Sequence, residues 1–426
     1  MAIFILLILA GLLLVGLPIF LALTSTLLVY LGSATDIPLT ILPQRMFAGI
    51  DNFTLTAIPF FNLAAEVMRA GKLADRLIGV ARVGTGFLPG GLGIAAVLAC
   101  MMFACISGSS PATVIAVGSV LYPALVGAGY SERFACGLIT TVGSLGILIP
   151  PSVTFIIYGV ATGSSVGALF AAGVVPGLLV GALFMVYCFV YAKRHRVAAD
   201  PPPTIATIVK AVRDSFWVLL LPVVVLGGIY GGIFTATEAA AIAAAYSIFL
   251  ALLVYRTLSW RDFGPLLART GLISGVLLLI IAGASAFSWL ITSQDVPQNA
   301  TKWVLGFTEN REVVLLLVNA LLLVMGCFIE SASAIVILMP IIMPIAQKLD
   351  INLIHFGVVF TMNMEIGMVT PPVGLNLIVA KMITGLPLSE ILRGSLPMLG
   401  ILLLGLVIVT YVPWFSLALP RLLFPF

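Results

Sequence analysis

The chain has 426 residues, of which 62% are hydrophobic and 8% charged, and its formal net charge is +4. A soluble domain carries about a quarter charged residues; this chain cannot cover a water-soluble surface, and its mean hydropathy of +1.24 makes lipid its solvent. The basic residues are scattered between apolar runs, which excludes a nucleic-acid surface.

In chain order, Met1–Gly32 is predicted to be a first span. It has no basic leader, and its apolar run is too long for a cleavable signal core. Runs long enough to cross a hydrocarbon layer of about 30 Å recur at Ile3–Leu31, Gly167–Tyr191, Trp217–Ile233, Ala239–Val254 and Ile391–Val412. Between the first two, Asn52–Ala70 reads as a second span. Lys72–Phe87 reads as a short basic interfacial helix, and Leu88–Ala128 as a helical hairpin. Lys193–Arg213, with Pro201–Pro203 inside it, is the one long polar linker. Cys100, Cys105, Cys136, Cys188 and Cys327 sit in apolar context without metal spacing and read as small core residues.

The chain repeats itself. Pro123, Gly146, Pro150 and Pro151 fall on Pro344, Gly367, Pro371 and Pro372 at one offset, since 344 − 123 = 221 and 371 − 150 = 221. The same offset carries the hairpin onto Glu309–Leu349. Each unit is then two spans, an interfacial helix, a hairpin, a broken span and a final span. The expected organisation is a first repeat over 1–196 with hairpin 88–128, a linker and extra crossing over 197–234, and a second repeat over 235–426 with hairpin 309–349.

If both hairpins re-enter the side they came from and Trp217–Ile233 is an extra crossing, fourteen basic residues fall on one face and five on the other. The five are Arg45, Lys302, Arg311, Lys348 and Arg421. Positive charge stays inside, so the first face is cytoplasmic and the second repeat is inverted. The predicted class is an all-α polytopic membrane protein of two inverted structural repeats, each with a re-entrant hairpin and a broken helix. That architecture belongs to secondary transporters.

The first hairpin turns at Ser107-Gly108-Ser109-Ser110-Pro111-Ala112-Thr113, and its partner span reads Gly143–Ser152 with Pro150 and Pro151. A hydroxylated turn is costly in lipid unless it lines a polar cavity; the competing reading is a small-residue helix interface. Two prolines remove two amide donors and free carbonyls about a turn earlier, near Gly146 and Ile147. Bare carbonyls and hydroxyls without a carboxylate suit Na⁺, and half-helices starting after Pro111 and Pro151 favour an anionic solute. The second tip is Gly326–Ser333, and the second broken span runs from Asn363 to Asn376. Glu330 and Glu365 are carboxylates in apolar sequence and functional candidates, each weighed against a structural cap. His195 and His355 have no partner spaced for catalysis, are expected at the surface, and leave an intramembrane enzyme without machinery.

At these motifs the chain resembles the large membrane subunit of the tripartite ATP-independent periplasmic (TRAP) transporters, DctM type, in the ion-transporter superfamily. The resemblance rests on SGSSPAT (Ser107–Thr113), LGILIPPS (Leu145–Ser152), EIGMVTPPVGLNL (Glu365–Leu377), and Gly71-Lys72-Leu73 with Asp75-Arg76-Leu77. It implies an elevator-type transporter of the bacterial inner membrane, driven by sodium. It also implies two partners, a small four-helix membrane subunit and a periplasmic protein that delivers an organic acid, a C4-dicarboxylate or a relative. Carried onto matching positions, one sodium site involves Ser107, Ser109, Gly146 and Ile149, and the other Gly326, Gly367, Thr370 and Pro372. The solute is expected near Ser110, Thr113, Glu330, Ser331 and Ser333. Sialic-acid members carry acidic residues near the positions of Thr113 and Glu330, so a neutral Thr113 favours a smaller carboxylate. A stand-alone Na⁺/carboxylate symporter of the same superfamily is the alternative, and a channel is a more distant one.

Overall fold

In a computed structural model, the structure describes residues 2–34 and 37–424. Met1, where the expected first span begins, and Phe426, where the expected second repeat ends, lie outside the described residues. Among the described residues the fold is all-helical, and seven helices are long and apolar enough to cross a membrane.

The hairpins form as expected. Hairpin 1 is Gly91–Ser107 and Ser110–Gly127, and hairpin 2 is Arg311–Gly326 and Ser331–Lys348. Both partner spans are broken. The first runs Glu132–Val142 and a tight turn Gly143–Ile147, then resumes at Val153–Thr162. The second runs Leu353–Gly367 and resumes at Leu375–Thr384. The breaks have the stated cause: Pro150, Pro151, Pro371 and Pro372 have no N–H to give the carbonyls a turn earlier.

The repeats interlock through exchanged spans. Ala57–Ala70 of the first unit packs on Ala236–Phe249 of the second, while Ile19–Ala34 packs on Phe263–Ser293. At the 221-residue offset these two contacts are the same contact seen from opposite sides. The helix Phe263–Ser293, hereafter the wall helix, also lies against the second arm of hairpin 2.

Four expectations need correction. The first span is two helices, Ala2–Leu14 and Ile19–Ala34. Gly16 at φ +84° ends the first, with Leu17 N–H bonded to Leu12 O at 3.1 Å and Gly16 N–H to Leu13 O at 3.0 Å, a glycine-terminated helix end. The long linker shrinks to residues 196–204, because one helix continues to His195 and the next begins at Ile205 behind a Thr204 cap. The helix that carries the expected crossing runs Ile205–Tyr230, so it starts before Trp217 and ends before Ile233. Two short helices, Ile41–Ile50 and Trp414–Leu423, were not anticipated. The second covers His355, which is 0% exposed with Nδ1 2.7 Å from Ser416 Oγ, whereas the sequence reading put it at the surface. His195 is exposed as expected and stacks on Tyr191.

The basic face is tied together by its charges. Glu66 pairs with Arg69 and Arg269, Glu390 with Arg133 and Arg393, and Asp200 with Arg82. Arg82 beside Asp200, chiefly through their hydrogen bond, holds that carboxyl below the usual carboxylate range.

Candidate functional site

Each hairpin tip is built to turn sharply inside the protein. Gly108 takes the left-handed conformation (φ +57°), Ser109 is extended, and Pro111 sits in the first turn of the returning helix, where no N–H is needed. At the second tip Glu330 occupies the extended position before Ser331. Its carboxylate makes no cap to the backbone, so the structural-cap reading fails; Oε1 instead accepts a bond from Ser333 Oγ at 3.3 Å.

Each tip is then bound to its own broken span. Val153 N–H reaches Gly108 O at 3.4 Å, and Val373 N–H reaches Cys327 O at 3.2 Å. The freed carbonyls are met in matching ways. Ile147 O accepts Ser152 Oγ–H at 2.6 Å, and Met368 O, its counterpart 221 residues on, accepts Asn376 N–H at 3.0 Å.

The expected sodium residues fall into two groups. In the first, Ser107 Oγ lies 2.8 Å from Thr113 Oγ1, which donates to Ser109 O at 2.9 Å. Gly146 abuts this cluster, because a Cβ there would be 2.7 Å from Ser109 O. Ile149 turns its side chain toward Gly177 instead. In the second group a Cβ on Gly367 would lie 2.4 Å from Gly326 Cα, so the two backbones touch. Thr370 Oγ1 donates to Ile366 O at 2.7 Å. Pro150 and Pro151 are buried, while Pro371 and Pro372 are exposed. The first pair lies under Val166–His195, whose Gly173 and Gly177 admit Leu148 O and Ile149.

A cavity of about 400 Å³ opens between the two tips. Of the residues expected at the solute, Ser110, Glu330 and Ser331 line it, together with Ser109. Thr113 and Ser333 do not; both are 0% exposed and sit behind the tips, bonded to Ser109 O and Glu330. Ser331 Oγ is buried without a protein partner among the described residues. Ser110 and Ser331 begin helices at this space, so the positive dipole ends of both lie beside it. Opposite the tips the wall helix is apolar, with Leu272, Val276 and Ile280.

Three polar residues were missed. Asn62 lines the cavity and donates to Ser274 Oγ at 3.1 Å; its signal was a lone amide in an apolar span. Thr154 also lines it, one turn past the first proline pair. Asn376 Nδ2 donates to Ser110 Oγ at 2.7 Å, joining the second broken span to the first tip. Glu365 is 1% exposed and lies 2.8 Å from Ser144 Oγ, away from the cavity lining.

The family model described as "Tripartite ATP-independent periplasmic transporter, DctM component" matches residues 6–415. The C4-dicarboxylate TRAP transporter large permease protein DctM of Pseudomonas aeruginosa is 47% identical over 377 residues, covering 88% of each chain. Its namesake from Rhodobacter capsulatus is 42% identical over 97% of this chain and 98% of its own. Among solved structures, the Alcanivorax borkumensis YdaH transporter superposes with a TM-score of 0.66 at 17% identity, over 89% of this chain and 88% of that one. That likeness carries the fold alone. The relatives are permease subunits rather than enzymes, and a TRAP large subunit implies a small membrane subunit and a periplasmic binding protein. The chain belongs to the DctM family of TRAP transporters, as a multi-pass large permease subunit of the bacterial inner membrane.

Proposed function

We propose that the chain carries a small organic anion, a C4-dicarboxylate or a close relative, into the cell together with Na⁺. The solute arrives from a periplasmic binding protein, and a small four-helix subunit accompanies the permease. One observation carries this reading: the cavity lies where two hairpin tips and the starts of two helices converge. The amides of Ser110 and Ser331 favour a carboxylate there. Glu330 lines the second side, which leaves the Ser110 side the better place for the solute's carboxylate. The substrate class follows the dicarboxylate relatives, and the neutral Thr113 agrees with a compact solute.

Sodium is proposed at the two crossings, one at Ser107, Ser109, Gly146 and Ile149, the other at Gly326, Gly367, Thr370 and Pro372. Both offer main-chain and hydroxyl oxygens, the donor set that Na⁺ accepts in transporters with broken helices. Thr113, Ser110, Glu330, Ser331 and Ser333 hold the solute directly or through the tip they brace. The hairpins and broken spans move as a body past the wall helix, as in an elevator.

The test is uptake of radiolabelled succinate into proteoliposomes that contain this chain, its small subunit and its binding protein. Uptake is expected only with a Na⁺ gradient, and equal uptake in choline overturns the coupling. Uptake by this chain alone favours the stand-alone symporter.

A further inference from the structure

We infer that the periplasmic half of the seam between the wall helix and hairpin 2 is the solute's entrance, with Arg45 as its first anion contact. The inference rests on the uptake reading above and adds to it a path and a receiving charge.

Three cavities lie in series along the same helices. The first, between the tips, touches Thr154, Ala332 and Leu277. A second, of about 160 Å³, touches Ile157, Val336 and Ile281, the residues about one helical turn on in all three elements. A third, of about 440 Å³, shares Ser285 and Ser288 with the second and continues to Thr292. The series therefore runs from the solute cavity to the face opposite the basic cytoplasmic one.

The wall changes character along this line. Beside the first cavity it is apolar, from Leu272 to Ile280. Toward the periplasm it presents Ser285, Ser288, Thr292 and Ser293. Ser285 and Ser288 are half-buried, and neither hydroxyl bonds to another group among the described residues. Gly49 draws the short helix Ile41–Ile50 against this strip, since a Cβ there would lie 2.2 Å from Ser285 Cβ.

That short helix brings Arg45 to the mouth. Its guanidinium lies 5.2 Å from the centre of the Trp289 ring, which holds it in place by a cation–π contact. Among the described residues Arg45 joins none of the ion pairs, so its charge is uncancelled. Of the five basic residues on this face, Arg45 alone lines any of the three cavities. A cation at the mouth of a cleft with low-dielectric walls raises the local concentration of anions. A hydroxylated strip then offers the anion partners on the way to Ser110.

Cysteine labelling tests this without relying on transport. S288C in the full-length chain is treated from the periplasmic side of membrane vesicles with an anionic methanethiosulfonate (MTSES) and with a cationic one (MTSET), with the parent chain as background. The residue is expected to react, and MTSES faster relative to MTSET. R45Q should lower that ratio about threefold or more, the size expected from one nearby charge at moderate salt, while R45K should keep it. Succinate should slow the labelling. Failure of S288C and S285C to react from outside, or a ratio indifferent to R45Q, overturns the entrance. Sodium-independent uptake with these labelling results intact would count against the coupling reading alone.

Discussion

Ser144 and Glu365 occupy the same position in the two repeats, 221 residues apart, and they touch: Ser144 Oγ lies 2.8 Å from Glu365 Oε1 with both side chains at most 1% exposed. The same hydroxyl also reaches Thr141 O, so one proton faces two acceptors. The contact joins the two broken spans just before their prolines, and Gly146 and Gly367 follow it by two residues in each.

Replacing Glu365 separates the roles of charge and shape at this contact. E365Q supplies an amide N–H to Ser144 and should unfold at or above the parent temperature in detergent. E365L leaves the Ser144 hydroxyl only its local bond to Thr141 O and should lose about 0.5–1.5 kcal/mol, the net worth of one hydrogen bond. An E365L chain as stable as the parent would count against a structural tie here.

The glycine crossings should tolerate no side chain. In G367A the new Cβ would fall 2.3 Å from Gly326 C, and in G146A 2.5 Å from Thr113 Oγ1. Backbone must move, and overpacking of this kind costs about 1–3 kcal/mol. G400A, with nothing within 4 Å of the added atom, is the control and should be neutral. Thermal unfolding of the three variants, with Na⁺-dependent uptake alongside, checks the difference.

Asn376 should matter to the solute site more than to the fold. N376A leaves Ser110 without its donor at the tip, and Ser110 is a wall of the cavity. The expected outcome is a raised KM for uptake, about two- to thirtyfold for the loss of one positioned hydrogen bond worth about 0.5–2 kcal/mol. An unchanged KM would remove Ser110 from the solute's surroundings.

The strap between the repeats should loosen in acid. Arg82 keeps Asp200 ionised below the usual range, so the pair stabilises above the unfolded carboxyl's pKa, and the stabilisation fades as pH falls through the lower folded value. Both side chains are well exposed, at 51% and 41%, which limits the effect to at most about 1 kcal/mol, less in high salt. Hydrogen exchange at Asp200 N–H, bonded to Gly86 O, should speed up severalfold in D200N at neutral pH. The difference from the parent should vanish in strong acid.

Much of this arrangement was legible in the residues. Proline pairs report the breaks because a missing N–H is a local fact, and the offset between them reports the repeat. The first hairpin's turn is legible for the same reason: Gly108 and Pro111 act on their own turns. What escaped depends on contacts far along the chain. Asn62 faces Ser274, 212 residues away, and Asn376 faces Ser110, 266 residues away; neither distance has a local signal. His355 looked exposed because the helix that covers it, Trp414–Leu423, is short and its Ser416 lies 61 residues further along the chain. The first span misled for the opposite reason, an apolar run whose break at Gly16 and Pro18 lay inside uniform hydrophobicity.

The meeting of residues 144 and 365 also bears on ancestry. Had two identical copies once associated about the axis that now relates the halves, the side chain at this place would have confronted its own twin, as every residue on a twofold axis must. Two serines can share such a spot, whereas two buried carboxylates would repel. A serine on one side and an acid on the other is therefore open only to halves that are no longer identical, as the two parts of one fused chain can become.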